Sequence, residues 1–273
     1  MRKWIPGLGL VLALTATPAL AQLHVANPPN EAGVTMGHWH MNSRDTEANK
    51  KFFVALGGRV IKRGDAENVL FPGVVIILQR GQATAPTGGT VGTVVNHTGF
   101  VVRNVQDSLA RWKAAGIVPE PSPSGRLDQA YINTPDGLRI EILEDKNMPY
   151  AIRHEHIHFA VPAADIPKMQ GWYAKEFGGY AWTRNNAPVV ELPGVQLRFG
   201  MADKPQVSTA GHVLDHIGFD VANLDAFLKK LEADGVKIER PLNRNPQTGG
   251  ALAFVSDPWG IMIELNERPV PIQ

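Results

Sequence analysis

The sequence predicts an α+β fold in which four copies of one strand–helix–strand unit pair into two tandem domains. Two observations support this: each half of the chain repeats the other, and the same histidine and glutamate positions recur in both halves. The chain has 273 residues, 44% of them hydrophobic, which is enough for one large domain or two small ones.

The first unit of each half begins with a strand-like run and continues into a helix. The strands contain the related motifs Gly37–Ser43 and Glu155–Val161. The predicted helices are Thr46–Leu56 and Ile166–Phe177, and a pair of glycines follows each of them. Glycine is favoured at this point because a helix often ends on a left-handed residue.

The second unit of each half repeats the pattern with Val95–Val101 and Leu214–Asp220 as its first strands. Asn104 and Asn223 each precede a helix-like run and are suited to cap it. Each half then closes with a hairpin whose last strand carries a glutamate. One unit alone cannot bury both faces of its sheet, so we expect the units to pair.

The repeat sets the predicted domain boundaries. Residues 1–21 are a signal peptide, 35–145 the first domain, 146–152 a linker and 153–268 the second domain, with two units in each domain.

The N-terminus has the pattern of an export signal. Arg2 and Lys3 precede a short apolar run, and Ala19-Leu20-Ala21 matches a signal-peptidase site. We expect cleavage before Gln22, a periplasmic or secreted protein, and no membrane attachment after cleavage.

Charge and cysteine content narrow the function classes. The formal net charge is +1, which gives no reason to expect a nucleic-acid partner. There is no cysteine, so disulfides, thiolate ligands and a cysteine nucleophile are excluded. A small molecule is the expected partner.

Two histidines and a glutamate recur at equivalent places in each half. Two imidazoles and one carboxylate can hold a divalent metal ion and leave positions open for substrate. We therefore predict one divalent metal ion per domain, Fe²⁺, Mn²⁺ or Zn²⁺. The predicted ligands are His38, His97 and Glu141 in the first domain, and His156, His216 and Glu264 in the second.

Further histidines lie two residues from a predicted ligand, on the same face of the strand by alternation. They are His40, His154 and His158. They are candidates for moving protons or orienting ligands, or they simply line the sheet.

These motifs resemble the vicinal oxygen chelate superfamily, which includes glyoxalase I, extradiol dioxygenases and the fosfomycin- and bleomycin-resistance proteins. The resemblance covers roughly residues 35–268. It rests on the histidine-bearing strands and on the turn Asp257-Pro258-Trp259-Gly260 before Glu264, with Thr134-Pro135-Asp136-Gly137 before Glu141. It implies paired βαβββ modules, each pair forming an open barrel around one metal, with the six residues above as ligands.

Two subfamilies of the superfamily are the nearest in pattern, and they differ in the ligands that they imply. Glyoxalase I implies a fourth, acidic ligand, whereas the corresponding strands here offer Gln79 or Gln196. Extradiol dioxygenases imply three ligands and a tyrosine before the final turn, which Tyr131 matches and Phe254 does not.

The expected function is that of a metal-dependent, extradiol-dioxygenase-like enzyme on a small substrate with adjacent oxygens. Tyr131, His40 and His158 are the expected catalytic residues. Glyoxalase I-like lyase or isomerase chemistry is the first alternative, and a non-catalytic binding protein like the bleomycin-resistance proteins is the second. We expect a monomer or a homodimer.

Overall fold

A computed structural model describes residues 27–63, 66–80 and 86–267. The predicted signal peptide and its cleavage site lie outside these residues. No helix within the described ranges is long and apolar enough to cross a membrane.

The four predicted units are present as four modules, each consisting of a strand, a helix and three further strands. Module 1 contains β1 (Val34–Ser43), α1 (Thr46–Leu56), β2 (Arg59–Arg63), β3 (Ala66–Phe71) and β4 (Val74–Arg80). Module 2 contains β5 (Val95–Val102), α2 (Val105–Ala114), β6 (Glu120–Pro121), β7 (Gln129–Asn133) and β8 (Arg139–Glu144). Module 3 contains β9 (Ile152–Val161), a 3₁₀ turn (Ala163–Asp165), α3 (Ile166–Phe177), β10 (Tyr180–Arg184), β11 (Ala187–Leu192) and β12 (Val195–Met201). Module 4 contains β13 (Leu214–Val221), α4 (Leu224–Ala233), β14 (Lys237–Arg244), β15 (Ala251–Ser256) and β16 (Met262–Glu267).

The helix ends follow the predicted capping residues. The side chains of Asn104 and Asn223 each accept a hydrogen bond from a backbone amide in the first turn of the helix that follows, at 2.9 and 3.0 Å. Gly57 ends α1 with φ of 114°, and Gly178 ends α3 with φ of 67°. These are left-handed conformations that side-chain-bearing residues rarely adopt.

The modules form two eight-stranded sheets, which confirms the α+β fold. One sheet has the order β14-β15-β16-β13-β1-β4-β3-β2, and the other has the order β10-β11-β12-β9-β5-β8-β7-β6. The first combines modules 1 and 4 and is called here the 1/4 sheet. The second combines modules 2 and 3 and is called the 2/3 sheet. At the centre of each sheet, the first strands of its two modules pair antiparallel.

The pairing of modules corrects the predicted domains 35–145 and 153–268. Each sheet takes one module from each half of the chain, so neither half forms a sheet of its own. Only residues 145–151 separate β8 from β9, and modules 2 and 3 are therefore neighbours. Modules 1 and 4 pair through β1 and β13, which satisfies the backbone groups along both first strands.

The two sheets share one hydrophobic core, in which aromatic side chains make contacts from sheet to sheet. Trp39 of the 1/4 sheet packs edge-on against Phe100 of the 2/3 sheet, with ring centroids 5.6 Å apart. Phe177 and Phe219 make a second contact between the two sheets' modules at 5.0 Å. The hydroxyl of Tyr173, on α3, donates to Asp257 at 3.0 Å across the same boundary. The sheets therefore support each other through packing and through buried hydrogen bonds.

Candidate metal centres

Two clusters of histidine and glutamate lie on the sheets, one on each. On the 1/4 sheet, His38 of β1, His216 of β13 and Glu264 of β16 converge. The Nε2 atoms of His216 and His38 lie 2.9 and 3.4 Å from Glu264 Oε2. Both imidazoles are buried. This cluster is called site 1.

The second cluster, site 2, lies on the 2/3 sheet. His97 of β5, His156 of β9 and Glu141 of β8 converge in the same way. The Nε2 atoms of His97 and His156 lie 3.2 and 3.0 Å from Glu141 Oε2. All three side chains are buried. The two clusters thus have the same composition and closely similar geometry.

The structure brings the six predicted ligands together but regroups them. His38, His97 and Glu141 do not converge, and neither do His156, His216 and Glu264. The first histidine of each half joins the second histidine and the glutamate of the other half, because β1 pairs with β13 and β9 pairs with β5. The ligands were grouped wrongly because the modules were expected to pair within each half of the chain.

A glycine makes room for one imidazole in each site. Gly99 lies opposite His156 across the central strand pair, and Gly218 lies opposite His38. A Cβ atom at Gly99 would be 1.8 Å from the His156 ring, and one at Gly218 would be 2.0 Å from the His38 ring. These glycines follow His97 and His216 by two residues, so a His-x-Gly pattern in the sequence carries the signal.

Acidic neighbours set the orientation of two of the imidazoles. His216 Nδ1 lies 2.7 Å from Asp215 Oδ1, and His156 Nδ1 hydrogen-bonds Glu155. A carboxylate can only accept, so Nδ1 carries the proton in each case. Nε2 is then the ring atom that faces the central glutamate. His97 has the same arrangement, with Asn96 as the acceptor.

The donor chemistry of the two clusters fits a divalent cation. In each cluster two imidazole Nε2 atoms face one carboxylate oxygen, so each cluster favours a positive charge at its centre, either protons on Nε2 or a metal cation. The preceding acids orient the rings as outer partners do in metal sites. Two nitrogens and one oxygen are a donor set typical of Zn²⁺, Mn²⁺ and Fe²⁺.

The electrostatics of both glutamates favour the ionised form. Burial alone would raise the pKa of Glu141, but hydrogen bonds with His156 and His97 hold it well below its usual range. The same holds for Glu264. Burial would raise the pKa of Glu264, but hydrogen bonds with His216 and His38 outweigh the burial and lower it. Burial lowers the pKa of His97, and its hydrogen bond with Glu141 opposes that shift.

Site 2 opens into a cavity of about 380 Å³. The Tyr131 hydroxyl donates to Glu141 Oε1 at 3.2 Å, and Gln129 donates to the same oxygen. Burial raises the pKa of Tyr131 to about 12. The His158 ring lies 4.5 Å from that of His97, centroid to centroid. Two of the predicted catalytic residues, Tyr131 and His158, therefore line the cavity beside one cluster.

Site 1 has an apolar residue where site 2 has the tyrosine. Phe254 is opposite Glu264 in the sheet, as Tyr131 is opposite Glu141. The third predicted catalytic residue, His40, stacks on His216 with ring centroids 4.3 Å apart. Burial lowers the pKa of His40 to about 4, and the neighbouring His216 contributes to the same shift.

Two further residues considered from the sequence lie outside the ligand sets. His154 is fully buried beside Trp39 and Phe100, in the core between the sheets, and is not part of either site. Gln196, considered as a fourth ligand, instead accepts hydrogen bonds from Arg184 and Arg198 at 3.0 and 2.8 Å.

Sequence reasoning missed several residues around site 2. Glu155, Arg198 and Gln129 were not predicted, although Glu155 directly precedes a ligand histidine. Arg198 lies two residues after Gln196 on β12, so both side chains are on the face of the sheet that carries the site. These positions differ from their counterparts in site 1, so the repeat that revealed the ligands gave no signal for them.

The fold and the sites define a class of protein: paired βαβββ modules, with a His-His-Glu cluster on each sheet. Residues 156–265 match the family model described as Glyoxalase/Bleomycin resistance protein/Dioxygenase superfamily. The match confirms the resemblance over that part of the chain.

Solved structures show the same fold along most of the chain. Glyoxalase I from Zea mays is similar with a TM-score of 0.67 and 16% identity, covering 86% of this chain and 92% of its own. A Bacillus subtilis protein provisionally described as a dioxygenase gives a TM-score of 0.61 and 14% identity, covering 86% of each chain. None of the curated proteins is significantly similar in sequence.

Proposed function

We propose that this protein is a metal-dependent enzyme acting on a small substrate with adjacent oxygens, with extradiol-dioxygenase-like chemistry at site 2. One observation carries the proposal. His97, His156 and Glu141 converge within 3.2 Å at the base of an open cavity, and Tyr131 and His158 stand beside them.

The metal would be held by His38, His216 and Glu264 in site 1 and by His97, His156 and Glu141 in site 2, where a ring nitrogen of His158 also lies within 4.8 Å of those of the two histidines. Gln196 is engaged by two arginines, and in site 1 Val75 occupies the corresponding position beside His38. No acid takes the fourth place that glyoxalase I would require. A divalent ion bound by three ligands supplies Lewis acidity and keeps positions open for two substrate oxygens.

The chain's own residues supply positioning and proton transfer. Tyr131 and Gln129 hold Glu141 Oε1, which fixes the carboxylate and leaves Oε2 towards the histidines. His158 lines the cavity and is kept neutral by burial, which lowers its pKa well below the usual value. Its position in the cavity wall beside His97, and not its basicity, makes it the candidate to accept a proton from a substrate hydroxyl.

The test is metal reconstitution followed by oxygen uptake. The protein is refolded separately with Fe²⁺ (without oxygen), Mn²⁺ and Zn²⁺, its metal content is measured, and a catechol panel is added. We expect two metal ions per chain, and oxygen uptake with Fe²⁺ or Mn²⁺ but not with Zn²⁺. The variant Glu141→Gln should lose this uptake.

Two other outcomes would reject parts of the proposal. Bound metal without oxygen uptake for any catechol removes the dioxygenase assignment and leaves lyase or isomerase chemistry. A folded chain that binds no metal removes the enzyme assignment and favours a binding protein.

We also propose that the mature chain begins at Gln22 and acts outside the cytoplasm, as a monomer or homodimer. The N-terminal pattern of Arg2, Lys3 and Ala19-Leu20-Ala21 supports the export and cleavage. Fractionation of the expressing cells tests the export, N-terminal sequencing tests the cleavage, and light scattering tests the oligomeric state. Protein that stays in the cytoplasm or keeps an uncleaved N-terminus would reject the first two proposals.

A further inference from the structure

The two sites have the same ligands but different surroundings. Three register-matched pairs show this: Tyr131 corresponds to Phe254, Gln129 to Leu252, and Arg198 to Ile77. In each pair the polar residue belongs to site 2 and the apolar residue to site 1. The positions that surround the ligands have therefore diverged, while the ligands have not.

Arg198 is held rigidly next to the site 2 ligands. Its Nη2 donates to both carboxylate oxygens of Glu155 at 2.6 Å, and its Nε donates to Gln196 at 2.8 Å. Its Nη1 lies 3.7 Å from Glu141 Oε2 and makes no hydrogen bond within the described part of the chain. A preorganised donor of this kind binds an anion at little conformational cost.

A second arginine stands at the edge of the same cavity. Arg184 precedes a tight turn in which Asn185 and Asn186 have φ of 50° and 64°, the conformation of a two-residue hairpin turn. Its Nη1 donates to Glu155 at 2.8 Å, and its side chain is 40% exposed. The turn thus carries a guanidinium to the cavity wall.

The charges of site 2 do not cancel once a divalent ion is bound. Glu155 is shared by Arg184 and Arg198, which leaves one positive charge uncompensated. Glu141 neutralises only one of the two charges of a divalent ion. The other two charged residues at the cavity wall have partners of opposite charge: Arg126 is paired with Asp128, and Glu144 with Lys146. An anionic substrate would balance the excess, and its burial in the cavity would strengthen the attraction.

We propose that site 2 takes an organic acid, whose adjacent oxygens face the metal position and whose carboxylate is bound by Arg198 and Arg184. This inference rests on the proposed function and names its substrate class. Site 1, with Ile77, Leu252 and Phe254 at the matching positions, does not share this preference.

The test compares an acid with its own ester. The probes are 3,4-dihydroxybenzoate and 3,4-dihydroxyphenylacetate, each against its methyl ester, titrated calorimetrically into Zn²⁺-loaded protein. Zinc prevents oxidative turnover, and the ester keeps the chelating hydroxyls while removing the charge. We expect at least one acid to bind about tenfold or more tightly than its ester.

Three variants assign the preference to the arginines. Arg198→Met should abolish it, Arg184→Gln should reduce it, and Ile77→Met, the matched change in site 1, should leave it unchanged. Arg184 is half-exposed, so its variant stays informative if Arg198→Met does not fold.

The possible outcomes separate this inference from the proposed function. Equal affinity for acid and ester, or a preference that survives both arginine variants, overturns the inference and leaves the enzyme proposal in place. If folded, zinc-loaded protein binds none of the four probes, the chelating substrate class fails, and this inference fails with it.

Discussion

Replacing Gly99 by alanine should remove the metal from site 2 and leave site 1 loaded. The added Cβ would lie 1.8 Å from the His156 ring, whereas real Cβ contacts are essentially never closer than 3.0 Å. His156 is fully buried and tied to Glu155, so the ring can only relieve the clash by leaving its position.

The size of the effect follows from this overlap. Overpacking a buried position costs about 1–3 kcal/mol, which for a protein of this size lowers the melting temperature by about 2–10 °C. Losing a ligand should weaken metal binding by more than the roughly 10–100-fold loss that is typical of altering an outer partner.

The assay is metal content per chain, measured together with thermal unfolding. Gly99→Ala should reduce the content from two ions to one, and Gly218→Ala should do the same through site 1. Gly171 is the matched control: it lies inside α3, and apart from the adjoining backbone of the helix itself nothing comes within 4 Å of the position that an added methyl group would take. Gly171→Ala should keep both ions and gain about 0.5–1 kcal/mol. Two tightly held ions in Gly99→Ala would refute the reasoning.

Three further changes test the sites and their surroundings. The double variant His38→Ala/Glu264→Ala should keep one metal ion, whereas His38→Ala/Glu141→Ala should bind none; the opposite result in metal analysis would restore the sequence-based grouping. Tyr131→Phe should keep both ions and lower the turnover of the reconstituted enzyme by about a hundredfold, so an unchanged kcat would exclude a catalytic role. Burial raises the pKa of Asp257 to about 6, so the folded chain holds its proton while the unfolded chain releases it near pH 4. Stability therefore falls as the pH rises from about 4 to 6, by about 3 kcal/mol. Asp257→Asn should be free of this loss in urea unfolding across that range, and parallel pH profiles for the two proteins would contradict the assignment.

The repeated features of this fold could be predicted from the sequence. The helices, their capping residues Asn104 and Asn223, and the six residues of the two clusters all follow local patterns that occur in each half. Such patterns depend on short stretches of chain, where backbone preference and hydrophobic alternation decide the outcome.

The partner of each module could not be predicted, because the first strands of the four modules present nearly identical edges for pairing. All four first strands carry the same kind of residues, so the local sequence gives no preference among them. Gly99 and Gly218 indicate that an imidazole lies across the strand pair, but not which one. Glu155 and Arg198 act through long-range contacts, and only the assembled sheet brings them together.

The nested order of the modules has a consequence for folding. The 2/3 sheet is formed by a continuous stretch, residues 95–201, whereas the 1/4 sheet joins the two ends of the chain around it. Pairing β1 with β13 closes a much longer loop than pairing β5 with β9, and that closure costs more entropy. We therefore expect the chain to fold from the middle outwards. During synthesis all residues of site 2 are available before module 4 has been made, whereas site 1 requires Glu264 on the last strand.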